Sequence, residues 1–218
     1  MFVQIKKMKK TIIFFVTWIG MIFSYLYPLT MSRYVIHFKN MIYTAWLACF
    51  FKKFGKNSII CKKATVLGSK YIVIGNGVSI GKNAVLTAWD TYGNQTFFPI
   101  IDIGDGCNIG EYCHISAINK IIFGQNVLTG RWLTVVDNGH GKTDIGAINI
   151  QPIKRPLFSK GPVVVEDNVW IGDKVTIMSG VTIGKNSIIG ANTVITKNIP
   201  ENSVVAGNPG KIIKYLTN

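Results

Sequence analysis

The first 89 residues of this 218-residue chain contain no acidic side chain. Residues 1–70 hold 12 of the 24 Lys and Arg residues, whereas residues 71–218 hold the other 12 together with all 10 Asp and Glu residues. The formal charge of +14 therefore belongs to the N-terminal third of the chain. This distribution argues against a nucleic-acid-binding body. It favours an N-terminal region that meets an anionic surface, most simply a membrane surface.

Histidine and cysteine are also scarce, with three and four residues respectively. No two cysteines have the CxxC spacing of a metal site, and three scattered histidines do not form a ligand cluster. The chain also lacks a GxxxxGK(S/T) phosphate loop, a strand-linked GxGxxG and a GxSxG nucleophile elbow. We therefore predict no bound metal, and we expect neither P-loop nucleotide chemistry nor a serine nucleophile of the elbow type.

An uncharged run covers residues 11–29 and follows four lysines within residues 6–10. The run is long enough to cross a bilayer as a helix, and the lysines would keep the N-terminus in the cytoplasm. No small-residue cleavage site follows, so a cleaved signal peptide fits less well. The alternatives are a helix that lies on the membrane and one that packs on a neighbouring subunit or on the rest of this chain. Apolar residues stepping by three and four predict a second helix over residues 31–54.

A branched apolar residue recurs every six positions between residues 165 and 199. The series is Val165, Ile171, Ile177, Ile183, Ile189 and Ile195, and four residues after each come Val169, Val175, Val181, Ser187, Thr193 and Ile199. Gly and Asn residues between them supply the positive-φ conformations that tight turns need. A period of six is typical of a parallel β-helix, in which three hexads form one triangular coil. We therefore predict a mainly β fold with the recurring residues at its axis.

The same period begins near residue 59 and is interrupted twice. Residues 87–102 form an aromatic and polar loop, and residues 136–163 contain about two dozen positions without a repeat. Long excursions from a rigid solenoid usually carry function. The sequence thus predicts three segments: a basic, apolar and helical segment over 1–56, a repeat body with its two excursions over 57–200, and a turn with a basic tail over 201–218.

His140 is the best candidate for a general base, because it lies between two glycines in the second excursion. A neutral imidazole can accept a proton from an alcohol near pH 7. Asp137 or a nearby backbone carbonyl is expected to fix its tautomer. His37 and His114 lie outside the excursions. We interpret His37 as a helix-surface or packing residue and His114 as a surface or subunit-contact residue.

The segment VWIGDKVTIMSGVTIGKNSIIGANTVITKNIPENSVVAGNPGKIIK resembles the hexapeptide-repeat acyltransferases. It is most similar to the maltose and galactoside O-acetyltransferases and to the O-acetyltransferases of bacterial surface-polysaccharide synthesis. The resemblance covers about residues 57–216. It implies a left-handed parallel β-helix, although parallel crossovers are nearly always right-handed. It also implies a homotrimer that binds acetyl-CoA in the groove between two subunits, with His140 as the catalytic base.

The resemblance also assigns the residues of the acetyl-CoA site. Trp170 would lie beside the acetyl group, and the positions along the cofactor arm would be Asp173, Ala191, Thr196 and Lys197. Lys211 and Lys214 would lie near the nucleotide phosphates, where relatives often have arginine, with its bidentate fork. Relatives often have a small polar residue at the position of Asp173. For the acceptor, the candidates in or beside the excursions are Trp89, Asp90 and Asn138.

The resemblance implies an acetyl-CoA-dependent O-acetyltransferase that acts on a sugar hydroxyl in surface-polysaccharide synthesis, and the basic, apolar N-terminal segment supports that setting. The expected partner is a sugar or a lipid-linked saccharide, and the expected location is the cytoplasm, at the inner face of the cell membrane. One alternative is an antibiotic-modifying acetyltransferase of the same fold, which would have little use for residues 1–30. A non-catalytic β-helix scaffold is the other alternative, and acetyl-CoA binding separates it from the enzyme.

Overall fold

The computed structural model describes residues 2–142, 144–147 and 149–217, and the chain divides into two compact units at residues 42 and 43. The first unit is helical. Helix α1 spans Phe2–Leu26, and helix α2, Leu29–Ala48, continues into the second unit. Proline disfavours a helical conformation in the residue before it, so Pro28 explains the break between the helices. Within α1, Gln4–Leu26 is long and apolar enough to cross a membrane, by length and composition alone, and none of it is buried.

The last turns of α2 pack on the first coil of the second unit. Thr44 Oγ1 donates to the Ile60 carbonyl (3.1 Å) and accepts the Ile60 N–H (3.0 Å). Phe51 is buried, and Phe54 packs against the core with its ring edge-on to the Phe51 ring. The helix predicted for residues 31–54 ends six residues early, at Ala48, because both phenylalanines turn inward to begin the β-body.

The body of the second unit is a left-handed parallel β-helix with three faces, confirming the predicted fold class. The first face contains Lys53–Phe54, Ile72–Ile74, Ile100–Ile103, Lys120–Phe123, Val163–Val165 and Thr182–Ile183. The second contains Ile59–Ile60, Ser79–Ile80, Asn108–Ile109, Leu128–Thr129, Trp170–Ile171, Ile188–Ile189, Ser203–Ala206 and Lys211–Tyr215. The third contains Thr65–Leu67, Val85–Ala88, His114–Ala117, Thr134–Val136, Thr176–Ile177 and Val194–Ile195. Pairing is parallel except for the last strand, which pairs antiparallel with Ser203–Ala206.

The interior consists of the residues that the period of six predicts. All six members of the series from Val165 to Ile195 are at most 1% exposed, and the companion positions are buried as well. Ser187 and Thr193, the polar companions, donate to the carbonyls of Pro200 and Gly190 at 3.0 and 2.7 Å. Burying one such isoleucine contributes about 2–3 kcal/mol. Stacked coils therefore give a rigid support for whatever projects from them.

In the last four coils, the corner that joins the first face to the second has an asparagine in the left-handed conformation. Asn126, Asn168, Asn186 and Asn202 have φ between 55° and 59° and lie above one another in successive coils. Their side-chain amides bond along the stack at 3.4, 3.4 and 2.9 Å. Asparagine tolerates this conformation well, and the ladder satisfies its amide. This corner is accordingly regular.

The corner that joins the third face back to the first, here called corner 3–1, is irregular. It carries the 3₁₀ turn Ser69–Tyr71 and both long excursions. Two extra residues, Ile118 and Asn119, also lie here between a third-face strand and a first-face strand, and we call this insertion the two-residue slip. Two further short 3₁₀ turns, Ile145–Ala147 and Pro152–Lys154, lie within the second excursion. That excursion, predicted for residues 136–163, is described apart from residues 143 and 148. Every departure from the six-residue period noted above thus projects from one edge of the body.

Candidate active site

Both excursions form antiparallel hairpins at corner 3–1. The first pairs Thr91–Tyr92 with Gln95–Thr96, and the second pairs Gly139–His140 with Leu157–Phe158. The third-face strands that lead into them are separated by only one strand. Because the coils stack in register, residues almost 50 positions apart in the sequence can meet beside this corner.

His140 ends its short strand with an exposed side chain. Its backbone pairs with Leu157, which is buried. The next residue, Gly141, has φ of 83° and donates its N–H to the Pro156 carbonyl at 2.8 Å. Glycine adopts this left-handed conformation at little cost, so the chain turns directly after the histidine. The hairpin therefore fixes the backbone of His140 while its ring faces solvent.

Tyr92 holds the His140 ring in one orientation. Its hydroxyl oxygen lies 3.3 Å from His140 Nδ1, and its ring meets the imidazole edge-on, with centroids 5.5 Å apart. The hydroxyl has one proton, which it donates to the Ile153 carbonyl at 2.5 Å. The hydroxyl oxygen therefore accepts from His140, which assigns the proton to Nδ1. In this tautomer Nε2 carries a free lone pair and can accept a proton.

Asp137, expected to orient His140, has different partners. Its carboxylate is fully buried and accepts the N–H groups of Ile118 (2.9 Å) and Asn119 (2.9 Å) and the side-chain amide of Asn138 (3.1 Å). Val135 points inward, so strand alternation directs Asp137 inward as well. Asp137 thus caps the two-residue slip in the coil below, and Tyr92 occupies the orienting position.

Gln95 fastens the two hairpins to each other. Its side-chain carbonyl accepts the Leu157 N–H at 2.7 Å, and its side-chain amide donates to the Leu157 carbonyl at 3.1 Å. This pair of bonds imitates one step of a β-ladder across the excursions. Because Leu157 is also the backbone partner of His140, the clasp links the first hairpin to the position of the histidine.

A cavity of about 240 Å³ lies beside the His140 strand. Asn138, Gly139, Gly141, Phe158, Lys160, Met178, Ser179 and Thr196 line it. The Ser179 hydroxyl donates to the Asp137 carbonyl at 2.7 Å and accepts the Lys160 N–H at 2.8 Å, which ties the hairpin base to the coil above. Two predicted site residues, Asn138 and Thr196, therefore meet here, and Lys197 follows at the same corner.

The remaining residues predicted for the cofactor site lie elsewhere on the same chain. Trp170 projects from the second face and is 53% exposed. Asp173 and Ala191 follow second-face strands, and Lys211 and Lys214 lie on the final strand of that face. In a triangular coil, the second face lies opposite corner 3–1. A single chain therefore holds Trp170 and His140 on opposite sides of the body.

One carboxylate oxygen of Asp173 forms a hydrogen bond between two neighbouring coils. Its Oδ1 accepts the Arg131 N–H at 2.8 Å, as Asp105 and Asp167 do for the Asn76 and Gln125 N–H groups in other turns. Hydrogen bonds from the backbone and the side-chain amide of Asn76 hold the pKa of Asp105 below its usual value. A small residue at position 173 would lose this bond between coils.

Trp89 and Asp90 open the first excursion. The Trp89 side chain is 37% exposed, and the backbone N–H of Trp89 donates to the Ala117 carbonyl at 2.9 Å. Asp90 pairs with Lys70 at 3.1 Å and accepts the Tyr71 hydroxyl, and these bonds lower the pKa of Asp90. Its carboxylate thus anchors the start of the hairpin.

Reasoning from the sequence missed Tyr92, Gln95 and Ser179. Tyr92 and Gln95 lie inside the first excursion, which the break in the period predicts. The break does not indicate which side chains of that excursion contact the second one. Among the described residues, no group of three or more His, Cys, Asp or Glu side chains could hold a metal ion.

Comparison with known proteins identifies the family. The bacterial transferase hexapeptide family (six repeats) matches residues 162–197. WbbJ of Escherichia coli K12, whose provisional name is lipopolysaccharide biosynthesis O-acetyl transferase, is 33% identical over 151 residues, covering 66% of this chain and 74% of WbbJ. The chain belongs to the hexapeptide-repeat acetyltransferases. The resemblance inferred from the repeat segment is therefore confirmed, and the protein is an acyltransferase.

Two solved members of this family share the fold. A hexapeptide-repeat acetyltransferase from Vibrio cholerae, solved with acetyl coenzyme A, is 26% identical with a TM-score of 0.50, covering 78% of this chain and 73% of that one. A maltose O-acetyltransferase from Clostridium difficile is 28% identical with a TM-score of 0.51, covering 79% and 73%.

Proposed function

We propose that this hexapeptide-repeat acetyltransferase moves an acetyl group from acetyl-CoA to a sugar hydroxyl of a surface polysaccharide or its lipid-linked precursor. The observation that carries the proposal is the contact of Tyr92 with His140, because it leaves Nε2 of an exposed histidine ready to accept a proton. The name of the relative WbbJ supports oxygen as the accepting atom and a surface saccharide as the acceptor.

His140 acts as the general base in this mechanism. The acceptor hydroxyl donates its proton to Nε2 as its oxygen attacks the thioester carbonyl, and the C–S bond then breaks. The imidazolium returns the proton to the departing sulfur, so no acyl-enzyme forms. The Nδ1–H bond to Tyr92 persists throughout and stabilises the imidazolium. Backbone N–H groups would stabilise the oxyanion.

Acetyl-CoA is the donor, in agreement with the complex of the Vibrio cholerae relative. Its pantetheine arm would contact Thr196 and Lys197 at corner 3–1, beside the cavity of about 240 Å³. Trp170, Asp173, Ala191, Lys211 and Lys214 would complete the site from a second chain. Since His140 and Trp170 occupy opposite sides of the body, a complete site requires two adjacent copies. A homotrimer with three such sites supplies them.

The acceptor would enter from the excursions, past Trp89 and Asp90 to His140. Asn138, which lines the cavity beside His140, keeps a side-chain oxygen for an acceptor hydroxyl because its amide group donates to Ser116 and Asp137.

The helical first unit would attach the enzyme to the cytoplasmic face of the membrane. Gln4–Leu26 is exposed and apolar, and four lysines lie near its N-terminal end. Basic residues at the surface of anionic lipids each add about 1 kcal/mol of attraction. This attachment would bring the active site to lipid-linked saccharides.

The test of the proposed reaction is transfer of radiolabelled acetyl groups from acetyl-CoA to deacetylated surface saccharides. We expect label in the saccharide that mild alkali releases, as an ester requires. Alkali-resistant label would indicate N-acetylation, and label retained on the protein would indicate a covalent mechanism. Either result would contradict the proposal.

A further inference from the structure

A second and larger cavity, of about 490 Å³, opens between the tip of the first hairpin and the turn that precedes Leu157. Its lining consists of Tyr92, Gly93, Asn94, Gln95, Ile153, Lys154, Arg155 and Pro156. This volume lies within the range of small-molecule sites, about 300–1,000 Å³. This lining includes none of the active-site residues predicted from the sequence. The cavity is therefore distinct from the predicted site.

The charged side chains of this lining are all positive. Among the residues that the structure describes, Lys154 and Arg155 contribute two cations to the lining and no carboxylate belongs to it. Neither cation is in an ion pair with any residue that the structure describes. Arg155 donates from Nε to the Ile150 carbonyl at 2.9 Å, which orients the guanidinium and leaves its terminal N–H groups available. An oriented guanidinium beside an ammonium suits a phosphate or diphosphate group.

Tyr92 connects this cavity to the proposed base. The residue lines the cavity, and its ring and hydroxyl also contact His140. A ligand anchored by phosphate at Lys154 and Arg155 would therefore need to extend only past one tyrosine ring to reach the histidine. Asn94, at the hairpin tip, also lines the cavity, and a side-chain amide can bond a saccharide hydroxyl. Gln95 lines the cavity too, with its side chain held in place by two bonds to Leu157.

We propose that the cavity binds the diphosphate of an activated acceptor saccharide, with Lys154 and Arg155 as its phosphate-binding residues. This proposal rests on the proposed function, since it defines the acceptor of the same reaction. The saccharide would lie between the diphosphate and His140. The enzyme would then act on diphosphate-linked sugars before their polymerisation, and a reaction that makes such a linkage must precede it.

The binding test uses inorganic pyrophosphate titrated by calorimetry into the full chain. We compare wild type with Lys154→Gln, with Arg155→Gln and with Lys56→Gln, which removes an exposed lysine at the regular corner. The two cavity variants should weaken pyrophosphate binding by about tenfold or more each, as the loss of a charge-assisted contact implies. Lys56→Gln should bind as wild type does. Absence of binding to wild type, or equal weakening by all three variants, would overturn the proposal.

Two further ligands distinguish the source of the diphosphate. UDP represents nucleotide-linked saccharides, and farnesyl diphosphate in detergent represents lipid-linked ones. The ligand that binds more tightly than pyrophosphate identifies the source of the diphosphate. Tighter binding of either ligand supports the site, provided that Lys154→Gln weakens that binding. A ligand that binds equally to wild type and Lys154→Gln contradicts it.

Kinetics separate this proposal from the proposed function. With a diphosphate-linked acceptor, Lys154→Gln should raise the KM for the acceptor and leave the KM for acetyl-CoA unchanged. With a free sugar acceptor it should have no effect. If acetyl transfer occurs but both acceptors respond alike, the phosphate site is wrong and the transferase proposal stands. If no acetyl transfer occurs but the two cavity variants still weaken pyrophosphate binding, the phosphate site stands and the transferase proposal is wrong.

Discussion

The Tyr92 hydroxyl oxygen lies 3.3 Å from His140 Nδ1 and donates its own proton to the Ile153 carbonyl. The relationship joins the two excursions, because the tyrosine belongs to the first and the histidine and carbonyl belong to the second. In the proposed mechanism, Tyr92 is therefore a positioning residue that fixes the tautomer of His140. The contact between Tyr92 and His140, with Nδ1–H as the donor, leads directly to a kinetic prediction.

Tyr92→Phe should lower kcat by about ten- to a hundredfold, because the ring remains but Nδ1–H loses its acceptor and Nε2 is no longer reserved for the substrate. The KM for acetyl-CoA should be unchanged. Nitrogen-15 NMR of the histidines should show the His140 proton redistributing between Nδ1 and Nε2. Tyr112→Phe, at a turn distant from corner 3–1, is the matched control. A kcat equal to wild type, with the Nδ1 tautomer retained, would exclude this role.

Gln95→Ala should loosen the hairpins without unfolding the body, because its two bonds to Leu157 lie outside the core. We expect faster amide hydrogen exchange over residues 139–141 and 157–158, and a several-fold lower kcat. Exchange in the core strands should not change. Gln95→Glu is the informative second variant: it keeps the acceptor for the Leu157 N–H and loses the donor, so its exchange should be intermediate. Unchanged exchange in both variants would show that the clasp does not hold the hairpin.

The proposal that two chains share each active site predicts complementation between inactive variants. His140→Ala and Trp170→Ala chains should each be nearly inactive. Co-expressed in equal amounts, they should recover about a quarter of wild-type activity, since a site then receives both native residues at that frequency. Mixing the purified proteins without subunit exchange is the control and should restore nothing. If the co-expressed mixture is no more active than its components, His140 and Trp170 do not act in a common site.

The buried thiols predict a loss of stability in alkali. Burial raises the pKa of Cys107 to about 11 and that of Cys113 to about 12, from an ordinary value of 9.0. The unfolded chain therefore ionises these thiols first, so their contribution is complete below pH 9 and is lost as pH rises towards the folded values. The free energy of unfolding, measured in urea at about pH 8, 9 and 10, should fall with pH.

Cys113→Ala should reduce that slope, and Cys49→Ala, at an exposed thiol, should leave it unchanged. In the folded protein, a thiol reagent should label Cys49 and spare the two buried cysteines. Rapid labelling of Cys113 under native conditions would contradict this account of the core.

The sequence was sufficient to predict the interior. Val165 and the isoleucines that follow it are buried as the period of six requires, because that period follows from the geometry of one coil side. The site was less predictable. The role of His140 stays a prediction from its residue type and its setting, whereas the Asp137 carboxylate bonds to Ile118, Asn119 and Asn138 and not to His140. Adjacent positions in a strand face opposite sides, and extending the alternation from Val135 would have indicated that Asp137 points inward.

Tyr92 could not have been found from local pattern. It lies 48 residues before His140, and the contact depends on both excursions leaving one corner and on the shapes of their hairpins. Similarly, Trp170 and His140 lie on opposite sides of the body because of the faces on which their hexads fall. Assigning hexads to faces requires knowing that the two-residue slip lies at corner 3–1.

The most direct test of His140 as the general base is a comparison of His140→Ala with His114→Ala, which replaces an exposed histidine on the third face. Acetyl transfer and acetyl-CoA affinity should both be measured for each variant. We predict that His140→Ala lowers kcat by about 10²- to 10⁴-fold with acetyl-CoA affinity intact, while His114→Ala behaves as wild type. Turnover by His140→Ala within about twofold of wild type would contradict the mechanism.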